Sequence, residues 1–299
     1  MDPEERRCYI GASDAAAVLG LSRWTTPLAV WAEKTGKVEP EDVSEKLAIW
    51  LGNELEETVA KLFELKTGKK VHKVIEPHIH PVHPFLVCHI DRKVEGESAV
   101  LQCKTASPRK SKEWEGEEIP IEYIIQEQHE MMVTGYQHAY IAVLIGNEQF
   151  VWKEIKRDEG IIRDIMAREV YFWNTFVAAR VMPEIILKGD NETLRRLYPS
   201  AVPLKSIQLN EAGCVIAEGI KNLKDDVEKL DEIIKQQEAE LKKILGDAEF
   251  AESKTFKVTW KNQAQRRVDT DKLQINFPDV YEKVLKPINF RKLLISRKK

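Results

Sequence analysis

Residues 90–105 read Ile-Asp-Arg-Lys-Val-Glu-Gly-Glu-Ser-Ala-Val-Leu-Gln-Cys-Lys-Thr. Two short runs with β-branched residues flank a polar stretch containing Gly96, the pattern of a β-hairpin. With residues 95–98 as the loop, Val94 faces Ala99 and Asp91 faces Gln102. Directly opposed residues on an antiparallel pair share one face, their Cβ atoms about 5 Å apart. Lys104 lies two positions beyond Gln102 and so belongs to that face as well. A carboxylate, an amide and an ammonium converge there, while Leu101 and Cys103 point to the other face, toward a core. A glutamate at 102 would make this a metal site with a lysine beside it. The glutamine leaves that reading open.

Upstream of the hairpin, residues 44–67 space Leu47, Leu51, Leu55, Val59, Leu62 and Phe63 as a helix does. Glu54, Glu56 and Glu57 lie on or beside its polar faces, where glutamates are ordinarily just solvated. Residues 27–36 read as a shorter helix closed by glycine. Before it, Ser13 or Asp14 is a natural N-cap for a helix over 15–19 that Gly20 stops. Backbone N–H groups at such a start, with Ser13 and a nearby arginine, form a candidate phosphate pocket; a plain capped helix is the alternative. His78, His80 and His83 cluster among prolines, with His72 and His89 nearby. No Cys or His pair follows at zinc spacing, so they read as edge-strand and turn histidines.

Downstream, 109–120 is a charged loop. Residues 123–136 read as a helix with Ile125, His129, Met132 and Val133 on one side and Gln126 and Gln128 embedded in it. A buried strand over 138–144 pairs with 147–155 across a turn at Gly146-Asn147. Residues 158–179 form a helix with core positions Ile161, Ile165, Val170, Phe172 and Phe176. This order implies an α/β (α+β) fold, a mixed central sheet flanked by helices. It closes a domain over 1–188, followed by a linker over 189–204 with proline and polar residues. Within 205–299, apolar residues step in fours and threes through Ile216, Ile220, Leu223, Val227, Leu230 and Ile234, resuming at Leu241 and Ile244. That heptad stripe indicates a coiled-coil arm of about 45–50 Å. Residues 256–260 alternate as a half-buried strand, with 266–268 as its hairpin partner.

The 299 residues, 43% of them hydrophobic, suffice for one large domain with an appendage. No run approaches the ~18 apolar residues of a membrane span, and no signal peptide opens the chain. Cys8, Cys88, Cys103 and Cys214 lack CxxC spacing, which argues against a zinc ribbon or disulfide framework and for a reducing cytoplasm. The net charge of −3 is unevenly spread: from Lys254 onward thirteen Lys/Arg stand against four Asp/Glu. A basic tail on an acidic body suits contact with a polyanion or an acidic surface.

Five stretches, in order, carry a resemblance. They are Ile-Gly-Ala-Ser-Asp-Ala-Ala-Ala-Val-Leu-Gly-Leu-Ser-Arg-Trp-Thr-Thr-Pro from 10, Trp-Leu-Gly-Asn-Glu-Leu-Glu from 50, His-Ile-Asp-Arg from 89, Leu-Gln-Cys-Lys-Thr-Ala from 101, and Ile-Gln-Glu-Gln-His-Glu-Met-Met-Val-Thr-Gly from 125. Over roughly residues 6–180 the chain resembles the YqaJ-type phage recombination exonucleases, relatives of lambda exonuclease in the PD-(D/E)xK nuclease superfamily. The resemblance implies a restriction-endonuclease-like core. Glu56 matches the family's helical glutamate and Asp91 its metal-bridging aspartate. Gln102 and Lys104 occupy the two ends of its Glu-x-Lys, and the backbone carbonyl at Cys103 is a further metal ligand. Gln128 matches a glutamine that orients the reacting water or lysine, with Gln126 its neighbour. Ser13 and Arg6 match the pocket for the 5′-terminal phosphate.

Phosphodiester hydrolysis requires charge neutralisation on the phosphate and a hydroxide at neutral pH, which two Mg²⁺ ions about 4 Å apart supply. Mg²⁺, with Mn²⁺ as substitute, would take Asp91, Gln102, the Cys103 carbonyl and Glu56. The implied activity is a 5′-to-3′ exonuclease on double-stranded DNA ends that leaves 3′ tails for a single-strand annealing protein. It would act as a homotrimeric ring in the cytoplasm of a bacterial host, away from any membrane. The departure is Gln102, which removes one negative charge. A Glu→Gln change is isosteric and silences chemistry while sparing the fold, so it reads first as an inactivating substitution. A natural, tolerated glutamine and a binding-only relative are the alternatives. The rival functions are a catalytically inactive DNA-end-binding relative and an interaction module built on the coiled-coil arm.

Overall fold

The computed structural model describes residues 3–43, 45–185, 189–288 and 290–296. The chain divides into two compact units, Met1–Tyr198 and Pro199–Lys299. In the first, the elements run α1 (Pro3–Arg6), β1 (Ile10–Gly11), α2 (Ala12–Val18), α3 (Pro27–Lys34), α4 (Leu47–Thr67), β2 (Val71–Lys73), β3 (His78–Ile79), β4 (Leu86–Cys88), β5 (Arg92–Val94), β6 (Ala99–Ala106), α5 (Ile121–Thr134), β7 (His138–Ile145), β8 (Gln149–Lys156), α6 (Glu159–Phe172) and α7 (Asp190–Leu197). A five-stranded sheet has the order β2-β5-β6-β7-β8, with β6 and β7 parallel and the other neighbours antiparallel. Strands β1, β4 and β3 form a separate small sheet. The architecture is the mixed α/β arrangement expected.

The hairpin has the register that its sequence implies. Arg92 pairs with Leu101 and Lys93 with Val100, which puts Val94 against Ala99 and Asp91 against Gln102. The next strand, β7, is apolar throughout because it lies inside the sheet and is covered on both sides. Ala139, Ile141, Val143 and Ile145 face the core built with α2, α5 and α6. Tyr140 and Ala142 face a second core with Leu101, Val94, Ala99 and the α4 residues Val59, Ala60 and Phe63. Two helices close on left-handed glycines, α4 at Gly68 (φ 73°) and α5 at Gly135 (φ 75°), where a side chain would be strained.

Several sequence expectations change. α4 buries only Val59, Ala60 and Phe63; Leu47 and Leu51, placed on the same stripe by spacing, are exposed because the helix meets the sheet only in its later turns. In α6 it is Ile162 and Ile165 that are buried, and Ile161 is exposed. The supposed linker contains α7, which packs on α3 with Asp190 and Thr193 buried, and Arg196 pairs with Glu33 at 3.9 Å. Its polar composition hides a helix that is anchored by charge. α2 begins three residues early, at Ala12, with Gly11 as its N-cap in place of Ser13 or Asp14; Asp14 accepts from the Gly11 N–H at 3.1 Å. His80 Nδ1 accepts from the backbone N–H groups of Val82 and His83, a turn role.

The second unit holds α8 (Glu211–Leu245), β9 (Phe250–Glu252), β10 (Lys257–Thr259), α9 (Thr270–Asn276) and α10 (Pro278–Val284). α8 has 35 residues, about 52 Å of helix, and its heptad stripe is exposed at Ile216, Leu223, Val227, Leu230, Ile234 and Leu241, with Ile220 half-buried. β10 pairs with β9, not with 266–268; the nearer partner closes the shorter loop. Among the described residues, no helix is long and apolar enough to cross a membrane.

Candidate active site

At the hairpin, the Gln102 side-chain Nε2 donates to Asp91 Oδ2 at 2.8 Å, and the Cys103 backbone N–H donates to the same oxygen at 2.8 Å. β-Sheet alternation alone produces this pairing. Burial pushes the Asp91 carboxyl above the ordinary range, against the Cys103 amide and the Lys104 charge, which pull it down. Glu56, one turn before Val59 on α4, is held by Arg92, whose Nη1 stands 2.5 Å from Glu56 Oε1. The same Nη1 donates to the Asp91 carbonyl at 2.6 Å, so Arg92 fastens the α4 carboxylate to the start of β5. Arg92 Nη2 reaches Glu57 at 3.0 Å.

Lys104 projects from β6 toward α5. Its Nζ donates to Gln126 Oε1 at 3.3 Å and lies 5.5 Å from the centre of the Tyr123 ring. Gln126 Nε2 in turn donates to Glu130 Oε1 at 3.2 Å, one helical turn further. Gln128 does not reach the site. Its Nε2 donates to the Lys156 carbonyl at 2.8 Å and its Oε1 accepts from the Asp158 N–H at 3.0 Å. Two positions along a helix is about 200°, so only one of the two glutamines can face Lys104. Gln126 is that glutamine, and Gln128 fastens α5 to the β8–α6 connection.

Two residues that pattern reading passed over are Glu127 and Glu130. Both are fully buried. Burial and the Asp91 charge push the Glu130 carboxyl up to about 8. Burial and the Glu130 charge push Glu127 well above the usual carboxylate range. Four side-chain oxygens of β6 and α5 are buried without a hydrogen-bond partner: Gln102 Oε1, both carboxylate oxygens of Glu127, and Glu130 Oε2. In sequence these acids look like an ordinary polar helix face, and nothing but packing distinguishes them.

A cleft of about 850 Å³ runs from this corner to the start of the chain. Its lining includes Arg6, Ser13, Asp14 and Lys34 together with Gln126 and Glu130. Lys34 Nζ pairs with Asp14 Oδ2 at 2.7 Å and donates to the Arg6 carbonyl at 2.8 Å; Arg6 lies 3.7 Å from Asp14. Arg6 and Ser13 are thus brought into one cleft with Gln126. Lys34 is an addition that the sequence did not suggest.

The donors fit a hard divalent cation in kind, since the groups at the corner are carboxylate, amide and carbonyl oxygens, and the orphaned oxygens of Glu127 and Glu130 become pure acceptors once those acids ionise. Among the described residues, no three His, Cys, Asp or Glu side chains stand grouped as a ready-made metal centre. Glu56 is engaged by Arg92, and one Asp91 oxygen by Gln102 and Cys103.

A family model described as the YqaJ-like viral recombinase domain matches residues 4–137. The chain is 41% identical over 297 residues to a Bacillus subtilis (strain 168) protein named uncharacterized protein YqaJ, covering 98% of this chain and 92% of that one. Its fold is similar to that of an alkaline exonuclease, LHK-Exo, from Laribacter hongkongensis. That likeness has a TM-score of 0.50 at 19% identity and covers 65% of this chain and 97% of the other.

Proposed function

Because the chain belongs to the YqaJ-like viral recombinase family, we propose that it is a divalent-metal-dependent deoxyribonuclease that degrades one strand of duplex DNA from its 5′ end. The observation that supports this most is the single cleft that joins Arg6 and Ser13 to Gln126, the residue bonded to Lys104. Asp91, with Gln102 Oε1, the Cys103 carbonyl and the nearby Glu56, would hold Mg²⁺ or Mn²⁺. Bound there, such an ion would neutralise the scissile phosphate and acidify a water.

The residues of the chain divide the remaining work. Lys104 holds the attacking water and offsets the charge that develops on the phosphate. Gln126 fixes the Lys104 ammonium by accepting a hydrogen bond from it, and Glu130 fixes Gln126. Arg6, Lys34 and Ser13 grip the terminal 5′-phosphate with charged and hydroxyl donors. Holding that end at a set distance from Lys104 defines the cleavage step. Successive cuts would leave 3′ tails for a single-strand annealing protein. A ring of identical copies, such as a homotrimer in the cytoplasm of the host, would keep the duplex in place.

The test is to incubate the protein with Mg²⁺ and a 5′-phosphorylated duplex labelled on one strand. The labelled strand is expected to shorten from its 5′ end, and Gln102→Glu is expected to speed the loss. A duplex left intact by both proteins would refute the nuclease reading. Replacing Arg6 by alanine is expected to reduce the preference for 5′-phosphate over 5′-hydroxyl ends by about tenfold, the scale of one charge-assisted contact; an unchanged ratio would remove Arg6 from the phosphate pocket.

A second reading has one observation in its favour. The Gln102 amide donates to the Asp91 oxygen that a cation would need. A protein locked in that arrangement would bind DNA ends without cutting them, and the same assay separates the two readings.

A further inference from the structure

We propose that the buried acids of α5, Glu127 and Glu130, supply the carboxylate that strand β6 lacks at Gln102, so that the cation site is completed from the helix instead of the strand. The inference rests on the cation-dependent reading above and assigns it two residues that the Glu-x-Lys pattern does not contain.

Glu127 is 0% exposed and neither of its oxygens has a hydrogen-bond partner; Glu130 is 1% exposed and its Oε2 has none. Gln102 Oε1, on the facing strand, is the fourth orphan. In the ionised form that a cation would favour, all four atoms accept and none donates, so neither acid can then satisfy the other or the amide oxygen. Such groups are costly to bury unless a cation or donor meets them. Lys104 is the cation beside them, but its Nζ bonds Gln126. A divalent ion takes six or more oxygens and tolerates a mixture of carboxylate, amide and carbonyl. Asp91 is the neighbouring charge that acts most strongly on Glu130, and Glu127 senses Glu130, Lys104 and Asp91 together. Geometry ties the two sides together: Lys104 Nζ bonds Gln126, and Gln126 bonds Glu130, so these α5 acids lie on the helix that meets the Gln102–Lys104 face of β6. Moving a carboxylate from β6 to α5 conserves the charge of the site, because the glutamine on the strand is offset by acids on the helix.

The test is Mn²⁺ binding followed by electron paramagnetic resonance, compared across the wild-type chain, Glu127→Gln/Glu130→Gln, and the same pair with Gln102→Glu. The double variant is expected to bind Mn²⁺ at least tenfold more weakly. Adding Gln102→Glu is expected to recover most of that loss, because either location of the carboxylate serves. Thermal unfolding confirms that each variant is folded; the exchanges are isosteric and remove buried unpaired charge. Should the double variant unfold, Glu130→Gln alone is expected to weaken Mn²⁺ at least threefold. Unchanged Mn²⁺ affinity in the folded acid variants would overturn the inference while leaving a DNA-degrading wild-type protein a nuclease. The same holds for a loss that Gln102→Glu fails to recover. A wild-type chain that neither binds Mn²⁺ nor degrades DNA would overturn both readings.

Discussion

Replacing Lys104 by alanine is expected to slow degradation of a 5′-phosphorylated duplex by about 10³-fold, with binding to the same DNA end changed by no more than about threefold. The large factor follows from where the ammonium sits. It projects from the same sheet face as Asp91 and Gln102, is steadied by Gln126 at 3.3 Å, and lies over the Tyr123 ring. A positioned charge in a water-poor corner acts on the developing charge of the reaction more than on the resting phosphate, so its loss falls on the rate and spares affinity. On the proposed reading, end binding would draw on Arg6, Lys34 and Ser13 of the cleft, which the substitution leaves in place. Lys104→Arg is not expected to restore the rate, because a planar guanidinium cannot take the place of a compact ammonium against Gln126. Single-turnover rates measured beside a binding titration check the split. A rate within tenfold of the parent would remove Lys104 from the chemistry.

The largest effect on stability is expected at a pair that touches no substrate. Glu169→Ala should lower the unfolding free energy by about 3–5 kcal/mol, the cost of leaving one member of a buried pair unpaired. Glu169, on α6, meets His129 Nδ1 of α5 at 2.9 and 3.1 Å, and both side chains are 0% exposed. The other ring nitrogen, Nε2, stands 3.2 Å from the Val87 carbonyl of β4. Burial alone would push the His129 pKa down; the Glu169 carboxylate outweighs it and holds it above the ordinary value. An imidazole with an acceptor at each nitrogen ties α5, α6 and β4 together. Glu169→Gln keeps an acceptor for Nδ1 and is expected to cost about half as much or less. Urea unfolding of the three proteins at neutral pH checks the order. A loss below about 1 kcal/mol for the alanine variant would mean that the pair is a passive passenger of the fold.

The same corner shows what a pattern in sequence conveys. Asp91 opposite Gln102, with Lys104 on the same face, was legible because a strand repeats every two residues and a short loop leaves one register open. β7 was legible because a strand covered on both sides is apolar throughout. The family resemblance singled out Arg6 and Ser13, and both line the cleft that Gln126 also lines. Helices were less transparent. α4 spaced its leucines evenly, yet only its later turns found a sheet to cover. α7 was read as linker because its composition is polar, while its packing on α3 depends on partners more than 150 positions away in sequence.

By itself, then, the sequence determined the hairpin, its register and the identity of the three groups that converge on it, because those follow from local geometry that no distant contact can alter. Only the tertiary structure decided how α5 is turned against β6. That rotation chose Gln126 over Gln128, since the backbone groups near Lys156 and Asp158 claimed the second glutamine. It also carried Glu127 and Glu130 out of solvent and toward Asp91. A 3.6-residue period offers several faces for burial, and the choice among them is made by whatever packs behind the helix, here His129 on Glu169.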